Sequence, residues 1–393
     1  MKGVKKAKPF LILISVVLVV FVAWVGLLYS KYGKQTLLFL AQAPPDIILN
    51  YSKGAIEDLM PATSSSNTTL PQQTGANGSV APAISVPSKH YISVMTHTYQ
   101  KLNNCGPSTA SMAASSVGVT FDQFAAADVL KGSYTDKNVA ADELEAFLNT
   151  KGLRAVYRIN GNKAMIEQLV SQDIPVIVEQ WLVKRGNGEL VGHYRVVRGY
   201  DQQSKLFTTN DSFNGPNFVI PYTQFDEWWR PFTRGYIVVF KPEQTALVQS
   251  IMGSDWDQTQ NLRNALPVFQ SEVQSIGDNY AYFNVGTTAD RLKIYPTAKE
   301  AYDVALSKAF PEHFLWYQFG PLDTYANIGE YDKVLQMTSE LLSQTGEMEE
   351  PRYYRGVVYE KQGNTAQARS EFEKALAANP RYLPAKTALE QLH

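Results

Sequence analysis

The feature that most constrains this chain is a run of twenty residues, 10–29, that contains no charged side chain. At 1.5 Å per residue, a helix of that length spans about 30 Å, the thickness of the hydrocarbon core of a bilayer. Four lysines lie among the first eight residues, whereas two follow the run closely. Because positive charge favours the cytoplasmic side, the sequence predicts an uncleaved single-pass anchor in residues 1–35, with the bulk of the chain outside the cytoplasm.

A cleaved signal peptide is the alternative interpretation of this N-terminus, and it would make the protein secreted. Ala41-Gln42-Ala43 has the small-x-small pattern of a cleavage site, although the apolar run is longer than a usual signal core. Residues 36–89 follow the anchor as a juxtamembrane segment and linker. From residue 61 they are rich in Ser, Thr, Pro, Asn and Gly, a composition that buries too little apolar surface to fold alone.

Charge and cysteine usage exclude several classes of function. The chain has 36 basic and 37 acidic side chains, so no positive balance points to nucleic acid. Cys105 is the only cysteine, which excludes an intrachain disulfide and a cysteine-based zinc site, and the five histidines are scattered without ligand spacing. We therefore expect no metal, no cofactor and no nucleic-acid partner.

Residues 90–242 carry a mixed pattern in which helices precede most of the strands. Helical spacing is found at 108–117, 119–130, 139–151 and 163–171, and strand patterns at 154–159, 175–181, 190–200, 206–209, 217–220 and 235–240. Arg185-Gly186-Asn187-Gly188 has the composition of a hairpin turn. This order predicts an α+β domain with antiparallel strands rather than a doubly wound parallel sheet.

Cys105 lies where a loop should turn into a helix, because Pro107 suits a first helical turn. The positive end of the helix dipole and unpaired N–H groups favour the thiolate, the nucleophilic form of cysteine. Five residues upstream, the Gln100 amide could join the Cys105 N–H in binding an oxyanion. The alternative is that this cysteine is a small buried apolar residue.

His193 and Asp211 complete a candidate catalytic set. His193 lies on one predicted strand and Asp211 ends the next, so adjacent antiparallel strands could place the two side by side. The carboxylate would then fix one tautomer of the ring, and the other ring nitrogen would accept the thiol proton. A structural histidine and a simple Asn-Asp turn are the alternatives for these residues.

Three motifs together resemble a known family: Asn104-Cys105-Gly106-Pro107, Gly192-His193-Tyr194 and Asn210-Asp211. They resemble the papain-like cysteine peptidases related to the bacteriocin-leader, or double-glycine, processing peptidases. The resemblance implies a papain-like α+β fold over residues 90–242, with Cys105 as nucleophile, His193 as base and acid, Asp211 as orienter and Gln100 in the oxyanion hole. No Gly-x-x-x-x-Gly-Lys-Ser/Thr motif is present, so peptide hydrolysis, rather than processing coupled to export, is what carries over.

Residues 255–393 contain an internal repeat. The pattern Ala298-x-x-x-Tyr302-x-x-Ala305 recurs seventy residues later as Ala368-x-x-x-Phe372-x-x-Ala375. The units near 279–312, 313–346 and from 347 onwards resemble tetratricopeptide repeats, with a terminal capping helix near 384–392. Such arrays either bind a protein partner or pack on a neighbouring domain or a second copy. The aromatic run at 314–319 is interpreted as core between repeats.

The sequence thus predicts a membrane-anchored extracytoplasmic cysteine peptidase that cuts peptide or protein substrates and uses its repeats for protein interaction. The alternative is an inactive papain-like binding module whose repeats recruit a partner. Another acyl transfer at the same site, such as amidase action on cell-wall peptides, also stays open.

Overall fold

The computed structural model describes residues 86–183 and 188–392. The predicted anchor, nearly all of the linker and the hairpin turn near 185–188 therefore lie outside the described residues. Within those ranges, no helix combines the length and the apolar character needed to cross a bilayer.

The described residues form an antiparallel sheet with flanking helices, followed by a helical array. The strands are β1 (Lys89–Tyr91), β2 (Arg154–Arg158), β3 (Val176–Val183), β4 (Leu190–Asp201), β5 (Leu206–Asp211), β6 (Gly215–Pro221) and β7 (Tyr236–Phe240). The helices of the first half are α1 (Cys105–Ser116), α2 (Gln123–Leu130), α3 (Ala141–Asn149), α4 (Lys163–Val170) and α5 (Tyr222–Trp229). Those of the second half are α6 (Thr245–Met252), α7 (Gln258–Ser275), α8 (Asn279–Arg291), α9 (Tyr295–Leu306), α10 (Gly320–Ile328), α11 (Tyr331–Thr345), α12 (Glu349–Lys361), α13 (Thr365–Ala378) and α14 (Leu383–Gln391).

The sheet has the order β2-β7-β3-β4-β5-β6, and β1 pairs with one end of β4. Every pairing among the described strands is antiparallel. On β4 and β5 the register sets Arg195 opposite Asp211, and it shifts at a bulge between Val197 and Gly199. The α+β prediction with antiparallel strands is therefore confirmed.

Both faces of the sheet are covered, as the alternation of its side chains requires. Ile177, Val196 and Ile237 face one core, which α1 and α3 complete with Ala113 and Leu144. Their immediate neighbours along each strand face the opposite core, which α4, α5 and part of the helical array complete. Strands buried on both faces explain why these segments are almost continuously apolar.

The helical array packs as the sequence pattern predicts, with glycines facing large aromatic rings. A Cβ placed on Gly286 would lie 2.6 Å from the Tyr302 ring, and Gly356 stands in the same relation to Phe372. Only a residue without a side chain lets the paired helices approach so closely. The prediction of a helical-repeat region is confirmed, although α6 and α7 precede the repeats without having been predicted.

One continuous core joins the sheet to the array. It runs from Val176 and Trp181 of β3 through Phe232 to Phe283 and Phe314 of the helical half. The predicted domain bounds of 90–242 and 255–393 stay predictions.

Some element bounds differ from the sequence prediction, for local reasons. Helix α2 begins at Gln123 rather than at 119, because the Asp122 carboxylate caps the N–H groups of Phe124 and Ala125. Helix α5 was not predicted, because it has only eight residues and therefore a weak sequence pattern. It is held in place by Phe225 and Trp229, whose side chains are buried in the core.

Candidate active site

Cys105 is the first residue of α1, and its thiol is half-buried. The preceding Asn104 does not cap the helix; its side chain donates to Gln123 and accepts from Lys131 instead. The first N–H groups of α1 therefore have no partner within the helix. Gly106 allows this helix end to sit close to the 131–140 loop, since a Cβ there would lie 3.3 Å from Val139.

His193 faces the thiol from the middle of the sheet. Helix α1 lies against β4, to which Thr109 Oγ1 donates a hydrogen bond of 3.1 Å at the carbonyl of Tyr194. Cys105 and His193 line the same cleft, and although burial alone would raise the pKa of the thiol, the nearby imidazole and the backbone of Tyr194 and Gly106 lower it. The structure therefore brings the sequence-predicted nucleophile and base to one cleft.

Asp211 holds the far side of the imidazole. His193 Nε2 lies 2.9 Å from Asp211 Oδ1, and both side chains are almost fully buried. The same carboxylate accepts from the N–H groups of Phe213 and Asn214, at 2.7 and 2.8 Å, and from Asn214 Nδ2 at 2.9 Å. With Nε2 turned to the carboxylate, Nδ1 is the nitrogen left for the thiol.

Arg195 is a member of this network that the sequence did not predict. Its Nε donates to Asp211 Oδ2 at 2.7 Å, and its Nη1 donates to Gln180 Oε1 and to the carbonyl of Trp181, each at 3.1 Å. Arg195 follows His193 by two residues, so both side chains lie on one face of β4. That spacing was a signal in the sequence, but its meaning depends on the register with β5.

The charges of these groups shift one another's pKa values. Burial alone would raise the pKa of the Cys105 thiol, but the hydrogen bond and charge of His193 outweigh it, so the pKa is lowered. Burial alone would lower the pKa of His193, yet the Asp211 carboxylate and the thiol raise it. Asp211 is buried as well, but His193 and Arg195 hold its pKa well below the ordinary range. These directions favour a thiolate–imidazolium pair.

Gln100 is fixed beside the nucleophile by the residue that follows Asp211. Ser212 Oγ donates to Gln100 Oε1 at 2.8 Å, and the Gln100 N–H donates to the Ser212 carbonyl at 2.9 Å. Since the oxygen end of the amide is held in this way, its NH₂ end is left for the cleft that Gln100 lines. The loop that carries Gln100 is also bound by Gln123, which contacts Tyr99 and Lys101.

A cavity of about 370 Å³ opens beside Cys105, His193 and Gln100. Leu182 and Val191 line it from the sheet, and His313, Trp316 and Tyr317 line it from the helical half. Tyr317 also lines a second cavity, of about 250 Å³, whose other walls include Glu179 and Arg291.

His97, eight residues before Cys105, contacts the catalytic set through the backbone. Its Nε2–H donates to the Asp211 carbonyl at 2.9 Å, so the ring supports the end of β5 rather than standing at the surface. Among the residues that the structure describes, no group of three His, Cys, Asp or Glu side chains could hold a metal ion.

Sequence comparison links this geometry to two known families. The model of the Peptidase_C39 like family matches residues 89–237, which include all four predicted site residues. The tetratricopeptide-repeat model matches residues 350–382, which make up most of α12 and α13. The chain contains a C39-like peptidase domain followed by a tetratricopeptide repeat. The family resemblance seen in the sequence motifs is thereby confirmed.

Several solved structures are similar to part of this chain. A crystal structure described as a C39-like peptidase from Bacillus anthracis is 16% identical, with a TM-score of 0.32, over 39% of this chain and 98% of that one. The peptidase domain of Streptococcus ComA, a bi-functional ABC transporter of a quorum-sensing pathway, is 17% identical, with a TM-score of 0.30, over 38% of this chain and 98% of that one.

A third similar structure is a double glycine motif protease from an AMS/PCAT transporter, solved in complex with the leader peptide. It is 17% identical, with a TM-score of 0.29, over 38% of this chain and 93% of that one. A search of curated proteins gives no match.

Proposed function

We propose that the C39-like domain is a cysteine peptidase in which Cys105, His193 and Asp211 act as a triad. The observation that supports the proposal is a thiol that lines an open cavity together with an imidazole whose Nε2 is bonded to a buried carboxylate. The match to a peptidase family supports the same activity.

In the first half of the reaction, the Cys105 thiolate attacks the carbonyl carbon of the scissile bond. The carbonyl oxygen becomes an oxyanion, which the Cys105 N–H and the Gln100 amide are placed to bind. When the tetrahedral intermediate collapses, the C–N bond breaks and the His193 imidazolium gives its proton to the leaving amine. The product is a thioester between Cys105 and the acyl half of the peptide.

In the second half, water replaces the amine. Neutral His193 takes a proton from the water as its oxygen attacks the thioester carbonyl, and a second oxyanion forms in the same place. Collapse breaks the C–S bond, releases the carboxylic acid and restores the thiolate–imidazolium pair. Asp211 keeps Nε2 protonated and the ring oriented throughout, and Arg195 keeps Asp211 ionised.

The state of the thiol is the direct test of this proposal. Iodoacetamide should alkylate Cys105 of the wild-type chain well below pH 7, because a thiolate paired with an imidazolium persists there. The His193→Ala variant should require alkaline pH and lose peptide cleavage, whereas Cys105→Ala should lose both labelling and cleavage.

His90→Ala is the matched control for His193→Ala, since His90 is a histidine that bonds Asp173 far from the cleft. It should leave both labelling and cleavage unchanged. Cleavage that survives in Cys105→Ala would refute the assignment. A thiol of wild-type protein that titrates in the alkaline range would instead favour an inactive binding module whose repeats recruit a partner.

The location of the domain is a second part of the proposal. The uncharged run at residues 10–29 would anchor the chain and place the C39-like domain and the repeats outside the cytoplasm. Protease added to spheroplasts of an expressing bacterium should then digest the C-terminal half without lysis, and the chain should sediment with membranes. Protection of the C-terminal half until lysis would contradict this orientation.

A further inference from the structure

The 3₁₀ turn Phe314–Trp316 links the first repeat to the second and also reaches the peptidase cleft. His313, Trp316 and Tyr317, which we call the repeat wall, line the cavity that contains Cys105 and His193. The nucleophile and this wall are separated by about two hundred residues of sequence, so neither half of the chain forms the cleft alone.

Phe314 fixes the position of the repeat wall. Its side chain is fully buried, with ring centroids 4.8 Å from Phe283, 5.8 Å from Trp181 and 6.3 Å from Phe232. It also stacks on Phe310 at 4.5 Å. Because Phe314, the first residue of the turn, is held in the shared core, the three residues of the repeat wall reach the cleft in a fixed arrangement.

The repeat wall is also tied to the peptidase side of the cleft. Tyr317 lies against Gly192, where a Cβ would come within 2.9 Å of its ring, so the glycine before the catalytic histidine makes room for this tyrosine. His313 Nδ1 lies 3.0 Å from Glu189 Oε1. The Lys137 ammonium lies 5.8 Å from the centre of the Trp316 ring and donates to the Thr345 carbonyl at 2.8 Å.

The chemistry of the cavity indicates what it accepts. Leu182 and Val191 line it from the sheet and Trp316 and Tyr317 from the repeat wall, and Lys101, Lys137 and His313 add polar groups to the lining. A volume of about 370 Å³ is at the small end for a ligand site and holds a short peptide segment. The apolar part of this lining binds a large apolar side chain more tightly than a small one, because more apolar surface leaves water.

We propose that the repeat wall forms a substrate subsite, which selects peptides with a large apolar or aromatic side chain next to the scissile bond. This inference rests on the proposed peptidase function, since it names the substrate class of the same site. It assigns the first repeat a direct part in peptide recognition at the cleft.

The subsite is tested by letting the full-length protein cleave a positional-scanning library of acetylated decapeptides. Wild-type protein should prefer Phe, Leu or Trp over Ala at one position flanking the cut, at least tenfold in kcat/KM. Trp316→Ala should remove most of that preference while changing cleavage of the Ala peptides less than threefold. Trp316→Phe keeps an aromatic ring and should retain most of it.

Trp256→Ala is the matched control, because Trp256 is a half-buried tryptophan that packs on Phe240, away from the cleft. It should keep the wild-type preference. Alkylation of Cys105 at pH 6 should be the same in all three tryptophan variants, which shows that the nucleophile is intact. Equal loss of cleavage on every peptide in Trp316→Ala, or a wild-type enzyme without side-chain preference, would overturn the subsite.

A binding measurement separates failure of the subsite from failure of the proposed activity. Cys105→Ala protein is titrated with fluorescein-labelled decapeptides that carry either Phe or Ala at the preferred position. If the wild-type chain cleaves nothing, labelled library pools with Phe or Ala at each position take their place. The Phe peptide should bind at least tenfold more tightly, and adding Trp316→Ala should abolish the difference. If the wild-type chain cleaves nothing but the Phe peptide still binds more tightly than the Ala peptide, the subsite is supported and the peptidase proposal is refuted. Equal binding of both peptides overturns the subsite.

Discussion

Arg195 is a buried residue that stabilises the negative charge of Asp211 and takes no direct part in the proposed reaction. Arg195, Asp211 and His193 are all nearly removed from solvent, and the guanidinium is the only permanent cation of the three. Removing one partner of such a buried pair leaves an uncompensated charge, which usually costs more than the pair itself contributes.

We expect Arg195→Met to lower the free energy of unfolding by about 3–5 kcal/mol, because the buried Asp211 carboxylate would lose one of its two ionic partners, the one that is permanently charged. The pKa of His193 should rise further, since Arg195 now lowers it electrostatically. Urea unfolding gives the first quantity, and the alkaline limb of the pH profile of kcat/KM gives the second.

Arg198→Met is the control for that variant. Arg198 is buried on the same strand but donates to the carbonyls of Ile92 and Ser93 and to Asn210, so it has no carboxylate partner among its described contacts. It should destabilise the fold without moving the alkaline limb. An unchanged limb in Arg195→Met would show that the guanidinium has only a structural role.

The pH dependence of cleavage follows from the directions of two pKa shifts. As pH falls through the lowered pKa of Cys105, the thiolate is lost; as pH rises through the raised pKa of His193, the imidazolium is lost. The profile of kcat/KM should therefore be a bell. Asp211→Asn removes the carboxylate that raises the pKa of His193, so its alkaline limb should move to lower pH and activity should fall. A limb that stays in place would mean that Asp211 does not set the titration of the ring.

The sequence analysis identified Cys105, His193, Asp211 and Gln100. The structure places Cys105, His193 and Gln100 on one cleft and buries Asp211 behind the imidazole, and their catalytic roles stay predictions. Arg195 could not be named, because its meaning depends on which residue of β5 lies opposite. That register shifts at a bulge between Val197 and Gly199, so the pairing could not be read from the alternation of side chains along either strand. Helix-start and strand-end signals are local, whereas a register is a property of two strands.

At the scale of elements, the repeats are held by glycines that meet aromatic rings. Gly356→Ala places a methyl group against Phe372, so we expect it to lower the free energy of unfolding by at least about 1–3 kcal/mol despite the better helix propensity of alanine. Adding Phe372→Leu should recover part of the loss, because the smaller side chain vacates that space. Chemical unfolding of the four chains of this double-mutant cycle measures the coupling, and strict additivity would contradict the packing.

The same glycine and aromatic spacing explains why the repeat helices were predictable, whereas the turn between the first two repeats was not. The aromatic run at 314–319 was interpreted as core between repeats. Phe314 is indeed in the core, but Trp316 and Tyr317 line the cleft of the other half. Period and composition predict which helix face is buried, yet they do not say which domain covers it.

At the scale of the whole molecule, the shared core leads us to expect that the C39-like domain and the repeats unfold together. A chain that ends after residue 242 would expose Trp181 and Phe232, which now pack on Phe314. We expect that chain to aggregate or to melt well below the full-length protein, which should unfold in one transition. Calorimetry or circular dichroism on heating measures both.

A shorter truncation is the control for that experiment. Removing residues 383–393 takes away only α14, which packs on the last repeat, and leaves the core around Phe314 untouched. That chain should keep nearly the melting temperature of the full-length protein. Two separate transitions in the full-length chain, or a stable and soluble 86–242 fragment, would show that the halves fold independently.

The repeat wall also has a consequence for the order in which the protein is made. A ribosome delivers Cys105 and His193 well before it delivers Trp316 and Tyr317. Through that interval the nascent chain contains Cys105 and His193 but lacks the residues that line one side of the cavity beside them. We therefore expect the cavity to take its final shape only after the C-terminal half has been synthesised.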